Sequence, residues 1–248
     1  MSGGALMASA SIPTFAGLKF TAIDTCVFTL TIGSYVSTSI LQYVEYSTNE
    51  GKTWTKTNNV DSTSVTITTP SIPAGGTVCW RGVGLQYTSS ATLNSTRGSR
   101  FTSTGRFYAS GNIMSLLSIN FDDALTVRMC AFFGLFYNNS GIVSCPELPA
   151  TKLANYCYCY MFYGCTSLTT VPDLPATTLT TSCYAHMFQG CRNLNYIKAM
   201  FTTTPSDSYT QSWVSGVASS GTFVKNSSAT WDVTGDSGIP SGWTVQNA

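Results

Sequence analysis

The feature that most constrains this chain is a self-match in its second half. Residues 148–173 read LPATKLANYCYCYMFYGCTSLTTVPD, and residues 174–199 read LPATTLTTSCYAHMFQGCRNLNYIKA. Aligned end to end, they share Leu148/Leu174, Pro149/Pro175, Ala150/Ala176, Leu153/Leu179, Cys157/Cys183, Tyr158/Tyr184, Met161/Met187, Phe162/Phe188, Gly164/Gly190, Cys165/Cys191 and Leu168/Leu194. The register runs backward more loosely, with Ala131, Leu135, Phe136, Asn138, Ile142 and Pro146 in the slots of Cys157, Met161, Phe162, Gly164, Leu168 and Pro172. It runs forward more loosely still, through Tyr209, Trp213 and Gly216. A unit of this size cannot bury its apolar face alone, so like units must stack and share a core.

Within each unit, Pro149 and Pro175 open a turn. Leu153, Cys157, Met161 and Phe162 then recur at a spacing that predicts one apolar face of a helix. Gly164 and Gly190 stand where a helix C-cap belongs. Cys165 and Leu168 lead into a short strand expected over Thr169 to Val171. The pattern MFxGCxxL joined to LPATxL and a Cys–Tyr pair resembles the BspA-like leucine-rich repeat. That family is abundant in Bacteroidetes surface proteins and in Bacteroides phages, including crAss-like phages. The resemblance implies a short α/β leucine-rich-repeat solenoid over residues 105–248, with a degenerate unit at about 122–147 and a capping segment over 200–248. The tail FVKNSSATWDVTGDSGIPSGWTVQ also looks like the ending of such arrays. The resemblance further implies adhesion or protein interaction, and it brings no catalytic residues to carry over.

The first half has a different rhythm. Short alternating segments over Lys19 to Ile23, Val27 to Ile32, Leu41 to Tyr46, Thr53 to Thr57, Ser64 to Thr69 and Thr77 to Val83 predict strands. Asn49-Glu50-Gly51-Lys52 is a hairpin-type turn and Pro73-Ala74-Gly75-Gly76 is a second turn. The wording YVEYSTNEGKTWTK with IPAGGTVCWRGVG resembles the Ig-like or fibronectin-like modules of gut Bacteroidetes surface proteins and their phages. An all-β Ig-like sandwich is therefore expected over residues 14–104, with Cys26 and Cys79 as reduced core thiols rather than an Ig bridge. Residues 1–13 form a small-residue N-terminal arm. Residues 105–130 are a junction in which Asp122 and Asp123 mark a helix start.

Composition narrows the function. Charged residues are 9% of the chain, against about 25% in an average globular protein, and the net charge is +1. That balance offers nothing to nucleic acid or to a membrane surface. Apolar runs fall short of the roughly 20 residues that span a bilayer, so no membrane insertion is expected. The N-terminal residues lack a secretion signal's pattern, so synthesis in a bacterial cytoplasm is expected. Nine cysteines, an odd number, are read as reduced, buried packing residues. Cys157, Cys159 and Cys183 recur at repeat positions without the paired spacing of a zinc site, so neither metal nor cofactor is expected. His186 is the only histidine and shares its slot with Tyr160, which is no signature of a catalytic base. The scattered carboxylates do not suggest a glycosidase pair.

Aromatics remain. Tyr156, Tyr158, Tyr160, Tyr163 and Tyr184 are the candidate binding surface, weighed against plain repeat packing. The expectation is a non-enzymatic virion component: a capsid-attached head fibre or decoration protein that displays its repeat for host-surface or glycan contact. A tail-associated phage protein and a bacterial cell-surface adhesin are the alternatives. Homo-oligomerisation is expected, with the arm or first domain attaching to capsid or tail proteins.

Overall fold

The computed structural model describes residues 15–33, 43–56, 65–85 and 98–248. The N-terminal arm read over residues 1–13 lies outside the described residues, as do the segment ends at Leu41, Thr57 and Ser64.

Six strands overlap the six alternating segments: β1 (Lys19–Ala22), β2 (Phe28–Thr31), β3 (Tyr43–Ser47), β4 (Thr55–Lys56), β5 (Thr66–Thr68) and β6 (Thr77–Val83). Three more follow at β7 (Arg100–Ser103), β8 (Phe107–Ser110) and β9 (Ile142–Ser144). They form one sheet in the order β4-β3-β6-β1-β8-β9 and a second in the order β5-β2-β7. The period of two decides what is buried: β1 and β2 alternate buried and half-buried residues along their lengths. Phe20 of β1 meets Phe101 of β7 at 5.0 Å and Phe107 of β8 at 4.8 Å between ring centroids. Trp80 of β6 meets Phe101 at 4.9 Å. Rings from both sheets thus share one core, each contributing roughly 2–3 kcal/mol by burial. The hairpin turn is the twist-matched kind, with successive positive φ at Glu50 (59°) and Gly51 (81°).

The repeat units contain neither the expected helix nor the expected strand. The N–H of Tyr158 donates to the carbonyl of Cys183 at 3.0 Å, that of Tyr160 to Ala185 at 2.9 Å, that of Phe162 to Met187 at 2.9 Å and that of Gly164 to Gln189 at 2.8 Å. Between them, Cys157, Cys159, Met161 and Tyr163 donate to the carbonyls of Ala154, Tyr156, Tyr158 and Tyr160, three residues back. Each unit is therefore a run of overlapping β-turns, and every second amide is hydrogen-bonded to the next unit. The preceding unit does the same, with Phe132 donating to Cys157 and Phe136 to Met161, both at 2.8 Å.

The sequence pattern misleads for a specific reason. Every fourth residue has left-handed backbone: Cys130, Gly134 and Asn138; Tyr156, Tyr160 and Gly164; Ser182, His186 and Gly190. A right-handed helix excludes such residues, whereas the third residue of a type II turn requires one. The apolar spacing of four is the turn period, which lies close enough to 3.6 to imitate a helix.

The expected α/β leucine-rich-repeat solenoid is thus overturned, and with it the resemblance to the BspA-like family. The architecture is nearly all β with open sheets. Among the described residues, helix is confined to the four-residue α1 (Asp207–Thr210) and a 3₁₀ turn at Ile113–Leu116. Thr169 to Val171 forms no strand; only Thr170 makes an isolated bridge, to Ser144. Asp122 and Asp123 are exposed in a turn closed by Ala124 N–H donating to Phe121, so they begin no helix. The Ig-like sandwich is not reproduced either. An Ig sandwich pairs its strands antiparallel, whereas the larger sheet is mixed, since β9 joins β8 in parallel.

The two halves are continuous. Phe101 N–H donates to Leu135 at 2.7 Å, and the buried Asn139 donates from Nδ2 to Phe101 at 3.1 Å. The Phe101 ring stacks on Phe136, which begins a column through Phe162 to Phe188 at centroid spacings of 5.6, 5.3 and 5.9 Å. The far end is closed by Trp213, which meets Phe188, and by a parallel sheet of β10 (Tyr196–Ala199), β11 (Thr222–Lys225) and β12 (Thr244–Asn247). Indole N–H groups of Trp213 and Trp243 donate to the carbonyls of Gly238 and Ala218 at 2.8 and 2.7 Å. The closing segment thereby satisfies its own buried polar groups.

Candidate functional site: an aromatic edge on the stacked turns

The turn geometry separates the five candidate tyrosines into two groups. Tyr158 and Tyr184 are each 1% exposed. They form an inner column with Phe132, with centroids 5.7 and 5.9 Å apart, and burial pushes both phenols well above their ordinary range. They belong to the core and not to a binding surface. Tyr156, Tyr160 and Tyr163 are half-buried and lie on the outer edge.

That edge is richer than the sequence indicated. Tyr163 stacks on Tyr137 at 4.8 Å and 6°. Tyr160 stacks on His186 at 4.5 Å and 11°. Tyr160 also lies 5.7 Å from Tyr163 and meets Phe133 edge-on at 5.7 Å. His186 Nδ1 is 2.8 Å from Gln189 Oε1, a contact in which the ring N–H donates to the amide oxygen and fixes the plane of the imidazole. Arg100, on β7, lies over the Tyr137 ring at 4.7 Å, and burial lowers its affinity for its proton. Tyr156, Tyr160, Ser182, His186 and Gln211 border an open cavity of about 180 Å³.

Tyr137, on the outer edge, and Phe133, buried beneath it, were missed in the sequence. Tyr137 was legible, because carrying the register back one unit from Tyr163 lands on it. Phe133 aligns with Cys159 and gives no such signal.

The cysteines behave as core residues. All nine are free thiols, and all but Cys145 are buried by residue exposure. Burial raises the thiols of Cys79, Cys130 and Cys183 to about 11 and pushes Cys145, Cys157 and Cys165 up further. Cys165 and Cys191 donate from Sγ to the carbonyls of Phe136 and Phe162 at 3.0 and 3.1 Å. The sulfurs of Cys165 and Cys191 are thus turned into the core as weak hydrogen-bond donors.

Several carboxylates are held in ion pairs. Asp24 pairs with Arg106 at 2.9 Å, Glu45 with Arg81 at 2.7 Å and Asp232 with Lys225 at 2.9 Å, and Asp173 pairs with Lys198. Among the described residues, no group of three or more His, Cys, Asp or Glu is gathered as for a metal ion, and no helix is long and apolar enough to cross a membrane. What the arrangement offers chemically is flat rings, amide groups and hydroxyls held on a rigid backbone, which is equipment for contact. Compared with protein-family models, curated proteins and solved structures, the chain matches none.

Proposed function

We propose that this chain is a non-enzymatic binding and display protein, and that it serves as an assembly component of a phage virion, attached to capsid or tail proteins. The observation that carries the reading is the aromatic edge of Tyr137, Tyr160, Tyr163 and His186. Its rings are fixed by stacking between units 26 residues apart. Rigid aromatic anchors lose little conformational freedom on binding, which is why they dominate contact energetics. The low charge of the chain supports close packing against copies and partners, since little self-repulsion opposes it.

Co-purification of the tagged full chain with the products of the genes flanking its own tests the assembly part. Retention of an identified capsid or tail protein is the expected result. A chain that stays monomeric by light scattering and retains none of them contradicts it.

A further inference from the structure

Three strands close the far end of the molecule, and the last of them is left open. β10, β11 and β12 pair in parallel in that order, and among the described residues no strand lies beyond β12. The N–H groups of Thr244 and Ala248 donate to the carbonyls of Gly221 and Lys225, both at 2.9 Å. Backbone direction alternates along a strand, so the N–H and C=O groups of Val245 and Asn247 point away from β11. Among the described residues no hydrogen bond reaches those groups. The core face is open at the same place. Ile197, Phe223 and Val245 stand in register across the sheet and so share one face. Ile197 and Phe223 are 0% exposed, whereas Val245, with no rung beyond it, is 43% exposed. The remaining residues of β12 are exposed as well. None of them is charged or a proline, the residue types with which natural sheet edges discourage pairing.

We propose that β12 pairs with β12 of a second copy of this chain, antiparallel about a two-fold axis between the two Gln246 residues. The hydrogen-bond pattern selects this occupant. With Gln246 opposite its own counterpart, Val245 lies opposite the second copy's Asn247. Val245 and Asn247 are the residues whose backbone groups point outward, so each such pair exchanges both of its N–H···O=C bonds, as in the closely spaced pairs of an antiparallel ladder. An edge complementary to itself in this way is what an isologous dimer requires. Charge does not oppose the pairing: β12 carries none, and the chain's net charge of +1 gives two copies little mutual repulsion. Both Val245 side chains fall on one face of the joined sheet, and each open core end gains a neighbouring strand. A strand this short buries far less than the roughly 1,200 Å² at the lower end of stable interfaces. The pair is therefore a weak one that forms when copies are concentrated or held side by side. Pairing consumes the edge, so the assembly stops at two copies.

Sedimentation velocity of the full chain from about 10 μM to about 1 mM, a range that brackets weak association, tests this. The expected result is a monomer at the low end and a dimer at the high end. The amides of Val245 and Asn247 are expected to exchange hydrogen slowly only at the high end, a readout that needs no variant. Val245→Pro removes an outward N–H that β11 does not use. It is expected to keep the parent's urea midpoint and to weaken dimerisation by about tenfold, the scale of the hydrogen bonds lost. Val245→Lys places like charges on both sides of the pair and is expected to weaken it similarly. Ile119→Lys, the same kind of change at an exposed site elsewhere, leaves association unchanged. A monomer throughout the range overturns the inference, as does a dimer that survives both Val245 variants or an assembly larger than two. Retention of a capsid or tail protein by a chain that never dimerises sinks the pairing alone. A dimer that retains no such protein leaves the pairing standing and counts against the attachment.

Discussion

Tyr156, Tyr160, Ser182 and His186 hold left-handed backbone, at φ 59°, 57°, 50° and 56°, where glycine is the residue of least cost. Their neighbours in the ladder show what the geometry prefers, since Gly134, Gly164, Gly190 and Gly216 sit at equivalent turn positions. Two opposite outcomes follow. Ser182→Gly removes a side chain whose backbone is strained, so it is expected to raise stability by about 0.5–1 kcal/mol. Gly164→Ala places a Cβ against the Asn138 side chain as well as into left-handed backbone, and is expected to lower stability by more than about 1 kcal/mol. Urea denaturation midpoints of the two variants measure both. His186 and Tyr160 keep a ring where glycine would relax the chain, and the stack they form with each other is what the strain holds in place.

At the level of the element, the repeat was legible as a repeat and illegible as a shape. Leu153, Cys157, Met161 and Phe162 mark a buried face correctly, because Cys157, Met161 and Phe162 are all fully buried. Periodicity, however, cannot distinguish a four-residue turn from a 3.6-residue helix over so short a run. The distinguishing signal was the residue at every fourth position. Gly164 and Gly190 announce left-handed backbone, but Tyr160 and His186 in the same geometry do not, since neither type demands it. Strands β1 to β6 were easier to place, as a period of two has no close imitator. β9 was hidden because its pairing with β8 is parallel and spans distant sequence. The outer aromatic edge was half-legible. Tyr156, Tyr160 and Tyr163 face outward, whereas Tyr158 and Tyr184 face inward, a distinction that needs the direction of each turn.

Because adjoining units meet through the same hydrogen bonds, the ladder has no fixed length. A second copy of residues 148–173 inserted between Asp173 and Leu174 adds one layer to each ring column. That insertion is expected to leave a folded chain with a melting temperature no lower than the parent's. The same insertion into a helical array out of phase with its neighbours would lower it. Differential scanning calorimetry of the two chains checks this.

Over the whole molecule, one hydrophobic cluster runs from Leu18 in β1's approach to Trp243 near the end, so the sheets and the ladder are held by one core. A cooperative loss of structure is the consequence. Alkali is expected to expose it. The thiols of Cys79, Cys130 and Cys183 are raised to about 11 from an ordinary 9.0, and the Tyr158 and Tyr184 phenols are raised above 10.0. The unfolded chain therefore loses these protons at lower pH than the folded one. Their contribution to stability is complete below about pH 9 and is lost progressively as pH rises through the folded values. Urea midpoints are expected to fall across pH 9 to 11. A midpoint that rises over that range contradicts the burial of these groups.

The account depends above all on successive units lying in register, residue over residue, so that one edge presents stacked rings. Two-dimensional nuclear Overhauser spectroscopy of the free protein reads this directly. The predicted result is ring-to-ring cross-peaks between Tyr160 and His186, Tyr137 and Tyr163, and Phe162 and Phe188, each pair one repeat apart. Helical contacts between residues three apart along 155–164, with no cross-peaks between those ring pairs, would contradict it.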